Sequence, residues 1–524
     1  EFGIPVPVGK ELQEIQFKIA KCFHLENLPF KLASKNSFKD MCDGLRPGVM
    51  VPSVKSICGT LLDKHEKYVK QKRDDCMKNM SHAVLGLDGW SDKKLQSLVN
   101  VMVTCFNIKK GDAFNFFWKA THLNGKAEDV DTIVKIIRDV SEELKGLSVD
   151  LVAINGDRAL NELNAREKAV KEGLALFNMS CTAHGGHNTL KTVVNEIQVI
   201  REVIALAHFL AKDLLSRKIA RSRLKKYLDT YGCRSLCLHY KGRWGSCVTC
   251  CQRIFHAKKA LTEFYITEVI NGDGECEVGD ATRNIFENNC NTKKFFDDLL
   301  KVIQTLSPFS AGIIQSENNA STLSVVYHHY HYLIHHHCTK VIPVIYNQDM
   351  GDAIAAIIES RLETILTPVM HMSYVLDVCY KVSDDNFVRD AYGDKKLHCL
   401  KLEKEAFEAY CGSDDNELFT KLCEQLHNYK TEIDLFAHAQ ITQEFDNIKT
   451  RLQQNDCSLN ERLQINRMFW REFGPTKELS EFALIISFIT TATALNERNL
   501  RNYSFVSSGR ESLNIDTRDK LVFI

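Results

Sequence analysis

The apolar positions of this chain change period along its length. Over residues 10–80 they recur at helical spacing, as in Leu12-Gln13-Glu14-Ile15-Gln16-Phe17-Lys18-Ile19-Ala20. Pro- and Gly-marked turns break this pattern, which predicts a small helical domain. Residues 82–120 are richest in β-branched and aromatic side chains. One apolar run ends at Asp88 and a second spans Leu98 to Phe106. A third, Ala113-Phe114-Asn115-Phe116-Phe117-Trp118, follows the polar turn Lys109-Lys110-Gly111-Asp112. Together they predict a three-strand meander. Val130, Ile133, Val134, Ile137 and Val140 return to helical spacing over Asp129–Leu144, Leu151–Ile154 reads as a buried strand, and Ala165–Leu176 reads as a helix. A strand-like run then ends at Cys181 and His184. From about 190 to 480 the pattern is almost entirely helical, a block too long to connect elements of one compact domain.

Three acids stand in contexts that suit a metal-dependent nuclease. Asp88 lies in Val84-Leu85-Gly86-Leu87-Asp88-Gly89-Trp90-Ser91-Asp92, Asp157 ends Leu151-Val152-Ala153-Ile154-Asn155-Gly156-Asp157, and Glu497 lies in the helical pattern Ala494-Leu495-Asn496-Glu497-Arg498. Carboxylates at strand ends and on a facing helix can converge on two divalent ions, which position the attacking and leaving oxygens of a phosphodiester. A chain with 67 Asp+Glu offers such trios by chance, so the neighbourhoods decide. Three strands, a helix, a strand ending in an acid, then helix and strand is the order of a ribonuclease-H-like core.

These neighbourhoods resemble the hAT family of cut-and-paste DNA transposases. Asn36-Ser37-Phe38-Lys39-Asp40-Met41, Arg46-Pro47-Gly48, Val51-Pro52-Ser53 and Leu61-Leu62-Asp63 resemble the family's pre-catalytic helical region. Leu87-Asp88-Gly89-Trp90-Ser91-Asp92, followed by Leu98-Val99-Asn100-Val101, is similar to the strand carrying the first catalytic acid. Cys181-Thr182-Ala183-His184, with Asn188 and Leu190, resembles a Cys-x-x-His segment, and Gly242-Arg243-Trp244-Gly245-Ser246 an Arg-Trp motif. Tyr374 to Lys381 is similar to a late insertion-domain signature. Ala494 to Ser508, with Leu513 and Leu521-Val522-Phe523, resembles a dimerisation segment.

The resemblance implies an α/β ribonuclease-H-like (retroviral-integrase-like) catalytic core, interrupted by a large all-α insertion domain and preceded by an N-terminal helical domain. The implied boundaries are 1–80 for the helical DNA-binding or dimerisation domain, 81–190 for the first stretch of the core, 191–480 for the insertion, and 481–524 for the closing helices. Asp88, Asp157 and Glu497 become the catalytic ligands of Mg²⁺ or Mn²⁺, with Asp88 able to bridge two ions. Trp244 becomes a stacking platform for a flipped base, Arg243 a phosphate or carboxylate partner, and Cys181 and His184 neighbours of the scissile strand. The implied reaction is two-metal-ion cleavage at transposon ends, with hairpins on the flanking DNA and transfer of 3′ ends into a target. Implied partners are double-stranded DNA (terminal inverted repeats and target) and a second copy of the chain. The implied location is the nucleus.

Composition fits a large protein with a sizeable core, since 44% of 524 residues are hydrophobic. No apolar stretch reaches the roughly 20 residues that cross a bilayer, and no signal peptide opens the chain. The start, Glu1-Phe2-Gly3, reads as that of an expressed fragment. Nineteen scattered cysteines favour reduced thiols in the nucleus or cytosol. Basic and acidic residues balance at 67 each, so the global field does not draw the chain to DNA. Between Lys212 and Lys259, however, thirteen Lys and Arg meet only Asp213 and Asp229. Arg221, Arg223, Lys225 and Lys226 are its densest cluster, readable as a DNA contact, an import signal or a solvated helix face.

Other readings stay open beside these. Trp244 between glycines also suits simple packing, as do Cys181 and His184. Cys247, Cys250, Cys251 and His256 hint at zinc but lack a partner pair. In Tyr327 to Cys338, His331 and His335 stand four apart and could chelate a metal on a helix, or belong to a helix of satisfied or exposed histidines. Arg158 follows Asp157 where the family carries asparagine, the residue before it is Gly156 rather than threonine, and Phe469-Trp470-Arg471 replaces paired tryptophans. No zinc finger of the family's kind is found in the 524 residues. Two functions remain: an active transposase, and a domesticated, catalytically silent descendant that binds DNA or protein.

Overall fold

The computed structural model describes residues 6–91, 97–123, 129–240, 243–383, 396–412, 415–454, 457–507 and 513–524, without the side chains of residues 90, 91, 396, 497, 504 and 507. Asp92, Lys241, Gly242 and Ser508 of the sequence motifs therefore lie outside the described residues. The chain divides into two units, one built from residues 1–179 and 488–524, the other from 180–487.

The first unit is built on a five-stranded sheet of order β3-β2-β1-β4-β5. The predicted meander is present as β1 (His82–Ser91), β2 (Ser97–Phe106) and β3 (Ala113–His122). Asp88 lies inside β1 rather than at its end. β4 (Asp150–Gly156) runs parallel to β1, and β5 (Phe177–Ser180) closes the far edge. Every residue of β2 after Ser97 is buried, as expected of a strand covered on both faces. On one face Leu85, Leu87, Val99, Val101 and Val103 pack with Ile133, Ile137 and Val140 of the helix Val130–Gly146 and with Ala165 and Ala169 of the helix Leu160–Lys171. The first of these helices opens at Asp129, whose carboxylate accepts the Thr132 N–H at 2.8 Å, a cap worth about 1 kcal/mol. The second starts and stops earlier than predicted. Gly173, at φ +72°, ends it, and Leu174 and Ala175 turn back into the core before β5.

The opposite face is covered by both ends of the chain. Ala20, Phe23, Ile57 and Leu62 form one core with Leu98, Leu500, Tyr503, Leu521 and Val522. The N-terminal helices Gly9–Leu25 and Thr60–Met77 thus share their interior with the helices Ala494–Ser507 and Ile515–Phe523, and residues 1–80 do not stand apart.

Two buried histidines sit within this N-terminal seam. His24 Nε2 lies 2.9 Å from Ile57 O and His24 Nδ1 lies 3.0 Å from His65 Nδ1. That contact needs one bare nitrogen. Burial first, then repulsion from His24 and Lys21, lowers His65 to about 4 from its ordinary 6.5. The unfolded chain therefore takes up its proton first. This contribution to stability is intact above pH 6.5 and fades as pH falls toward 4. Calorimetry between pH 7 and 4.5 is expected to show a falling unfolding temperature in the native protein and a shallower slope in His65→Phe. Equal slopes would remove the pair from the acid response.

The second unit is helical from Thr182 to Ser487 among the described residues. Its late sequence signature is a packing element. Trp470, fully buried, donates from Nε1 to Leu376 O at 2.7 Å. Buried Asp377 accepts from Cys379 N at 3.0 Å and Ser324 Oγ at 2.5 Å. The His/Tyr cluster runs through the helix Leu323–Tyr332 into a wider-wound turn, Leu333–Val341. There His337 Nε2 lies 2.9 Å from Thr305 O, the His328 ring stacks on Tyr380 at 4.5 Å, and His331 stacks on His335 at 5.6 Å. Of these, His337 is buried, while His328, His331 and His335 are half-buried with ring partners. No helix among the described residues is long and apolar enough to cross a membrane.

Candidate metal and nucleic-acid site

Asp88 and Asp157 lie the same step beyond one paired point of the sheet. Gly86 of β1 is the Cα partner of Asn155 in parallel β4, and each aspartate follows two residues later. Neighbouring strands are roughly 4.8 Å apart, so Asp88 on β1 lies beside the strand that leads directly into Asp157. The face is identified by what the paired residues meet. Asn496 Nδ2 donates to Gly86 O at 2.9 Å, and Asn155 Nδ2 donates to Thr490 O at 2.7 Å. Both partners belong to the closing segment of the chain. Alternate strand residues share a face, so half-buried Asp88 shares that of Gly86. Opposite Asp88 on β2 stands Asn100.

Three buried asparagines join this corner to the helix Ala494–Ser507. Asn496 Nδ2 donates to Asn100 O at 3.0 Å, Asn100 Nδ2 to Asn496 O at 3.2 Å, and Asn499 Nδ2 to Asn100 Oδ1 at 3.0 Å. A Cβ on Gly86 would stand 2.6 Å from Asn496 Oδ1, so the helix approaches this closely only over a glycine. Glu497 lies in that helix between Asn496 and Asn499.

The Asp157 turn is held from beneath. Arg166, fully buried, donates to Asp157 O at 2.7 Å, to Glu162 Oε1 at 2.6 Å and to Asn178 Oδ1 at 2.9 Å. A Cβ on Gly156 would fall on Glu162 and Arg166, so this pair occupies the space that only glycine leaves. The Asp157 carboxylate accepts Ala159 N at 2.7 Å. Among the described residues, which exclude the Glu497 side chain, no group of three or more His, Cys, Asp or Glu is arranged to hold a metal ion.

The remaining candidates lie in the second unit. β5 ends at Ser180, so Cys181 is the N-cap of the helix Thr182–Glu196, and His184 lies in its first turn rather than ending a strand. Cys181 is buried and His184 exposed. Arg243 and Trp244 form the turn that opens the helix Gly245–His256. Gly245 N donates to His187 Nδ1 at 3.4 Å, which brings the Arg243–Trp244 turn against the helix of Cys181 and His184. Arg243 is exposed. Trp244 is half-buried, its ring 5.0 Å from His239.

The basic run is uneven. Arg223 pairs with Glu268 at 3.0 Å, Asp273 at 2.7 Å and Glu275 at 3.2 Å, and the Asp273 hydrogen bond foremost holds its guanidinium further in the charged form. Acids beyond the Lys212–Lys259 window thus engage a cation that sequence counting left open. Arg221, Lys225 and Lys226 are exposed on the same helix, Lys218–Thr230. Each exposed cation that meets a phosphate contributes about 0.9 to the salt slope of duplex affinity. Arg223→Ala is expected to leave that slope unchanged, whereas Lys225→Ala with Lys226→Ala lowers it by roughly two, as read by fluorescence anisotropy across a salt series.

Cys247, Cys250 and Cys251 are buried within the helix Gly245–His256. Burial pushes the first two thiols up to about 12 and raises Cys251 well above the ordinary thiol range.

Residues 52–209 match the family described as a domain of unknown function, DUF659. That domain is found in transposase-like proteins, and the match supports a transposase-related family. The matched stretch holds Asp88, Asp157, Cys181 and His184, and stops short of Arg243, Trp244 and Glu497. No curated protein matches the chain.

Proposed function

We propose that the protein is a DNA transposase of the hAT type, with a ribonuclease-H-like core whose Asp88, Asp157 and Glu497 hold Mg²⁺ or Mn²⁺. The observation that carries the reading is the placement of Asp88 on β1 and of Asp157 directly after the neighbouring parallel strand β4, with the helix of Glu497 bonded to β1 through Asn496. The strand order, antiparallel through β3-β2-β1 and parallel from β1 to β4, supports the same core. The donor set fits the metal, because carboxylate oxygens are the ligands that hard divalent ions prefer. When bound, such ions polarise the phosphodiester and supply a nucleophile at neutral pH.

The chain's own residues do the rest. The three carboxylates hold the site's geometry. Exposed Arg243 and His184 bind backbone phosphates, and Trp244 stacks on a base turned out of the duplex, a contact worth roughly 1–3 kcal/mol. Double-stranded DNA, at element ends and at target sites, is the substrate, the acting species is a dimer or larger, and its place is the nucleus. The test is incubation of a labelled duplex, taken from the DNA flanking the element's own terminal repeat, with the protein and Mg²⁺ or Mn²⁺. Metal-dependent nicking supports the transposase; tight binding with no nicking in either metal replaces it with a catalytically silent DNA-binding descendant.

A further inference from the structure

The helix Ala494–Ser507 could be set on the sheet by apolar packing alone. Leu500, Tyr503 and Val506 supply such packing. Apolar contacts, however, fix neither register nor rotation, since a small slide exchanges one contact for another. The asparagines act differently. Asn496 donates to carbonyls of two different strands, Gly86 O on β1 and Asn100 O on β2. Asn100 returns a bond to the helix backbone at Asn496 O and receives one from Asn499. All three amides are buried, at 0% exposure for Asn100, 1% for Asn496 and 6% for Asn499. A slip of the helix would leave several buried polar groups without partners, each costing about 1–3 kcal/mol. Gly86 lies two residues before Asp88, and Asn100 is the cross-strand partner of Asp88.

We infer that Asn496 is a positioning residue, which locks the helix backbone at Glu497 against the β1 segment of Asp88 and so sets the geometry of the carboxylate site. This rests on the metal-site reading above. Asn499 supports it through its bond to Asn100.

The test uses the full chain and Mn²⁺ as probe. Mn²⁺ binding is read by electron paramagnetic resonance, and amide hydrogen exchange of the helix Ala494–Ser507 is read in parallel with that of the helix Val130–Gly146. In Asn496→Ala, Mn²⁺ affinity is expected to fall by about tenfold or more, the range seen when groups orienting metal ligands are removed. Exchange in the C-terminal helix is expected to quicken while Val130–Gly146 is unchanged. Asn499→Ala, the milder change, should move both readouts in the same direction by less, and serves alone if Asn496→Ala does not fold. A folded Asn496→Ala with native exchange and native Mn²⁺ affinity overturns the inference. If the native protein shows no Mn²⁺ binding that Asp88→Asn removes, the metal reading fails instead. Exchange then still reports whether Asn496 locks the helix.

Discussion

Asp88→Asn is expected to abolish metal-dependent nicking of duplex DNA while leaving the unfolding temperature close to native. The substitution keeps the shape of the side chain and removes one negative charge from the Asp88 and Asp157 pair. A divalent ion stabilises transition-state charge by several kcal/mol, and each 1.36 kcal/mol is a factor of ten, so the rate should drop by about a thousandfold. Stability should hold because Asp88 is half-buried and is not part of the apolar layer of Leu85 and Leu87. Single-turnover cleavage, with calorimetry on the same samples, decides it. Native-like cleavage by Asp88→Asn would sink the catalytic assignment.

The second large effect is on stability. Arg166→Ala removes the centre of a buried set in which Glu162, Asn178 and the Asp157 carbonyl all face one guanidinium. Breaking a buried ion pair on one side costs about 3–5 kcal/mol, because the remaining charge stays without compensation. For a unit of this size each kcal/mol moves the melting temperature by roughly 2–4 °C, so the transition of the sheet unit should fall by roughly 10 °C. Replacing both partners, Glu162→Leu with Arg166→Met, should recover much of that loss. If the double variant melts as low as Arg166→Ala, the pair is not the source of the effect. The recovered double variant still lacks the bond to Asp157 O, and therefore separates stability from the setting of the acid turn.

The sheet was legible in the sequence because its strands alternate or run apolar over clear lengths, and the helix from Val130 repeats at unmistakable spacing. The motif around Asp157 marks the end of β4, whereas Asp88, expected at a strand end, lies inside β1. What periodicity could not convey was pairing across distance. Asn100 is the lone polar side chain in Leu98-Val99-Asn100-Val101-Met102-Val103, and a polar group in a fully buried strand must have a partner. Its partners lie about four hundred residues away, so the signal was visible and its meaning was not. Arg166 was hidden for another reason. A Glu-to-Arg spacing of four reads as a surface helix pair, and only burial turns it into the support of Asp157. The basic run misled in the opposite sense, since the acids that engage Arg223 fall outside any local window.

Residues 180–487 separate the two stretches of chain that build the sheet unit, and Gly86 meets Asn496 across 410 positions of chain. At roughly 5–20 residues per second, a ribosome needs tens of seconds to make the intervening helices. Throughout that interval β1 and β2 are present without the helix that bears Glu497, and the buried amide of Asn100 has no partner to receive. The nascent chain therefore carries Asp88 and Asp157 before Glu497 exists. For the nuclease proposed above, this order keeps the site incomplete until Glu497 is made, a safeguard that needs no inhibitor.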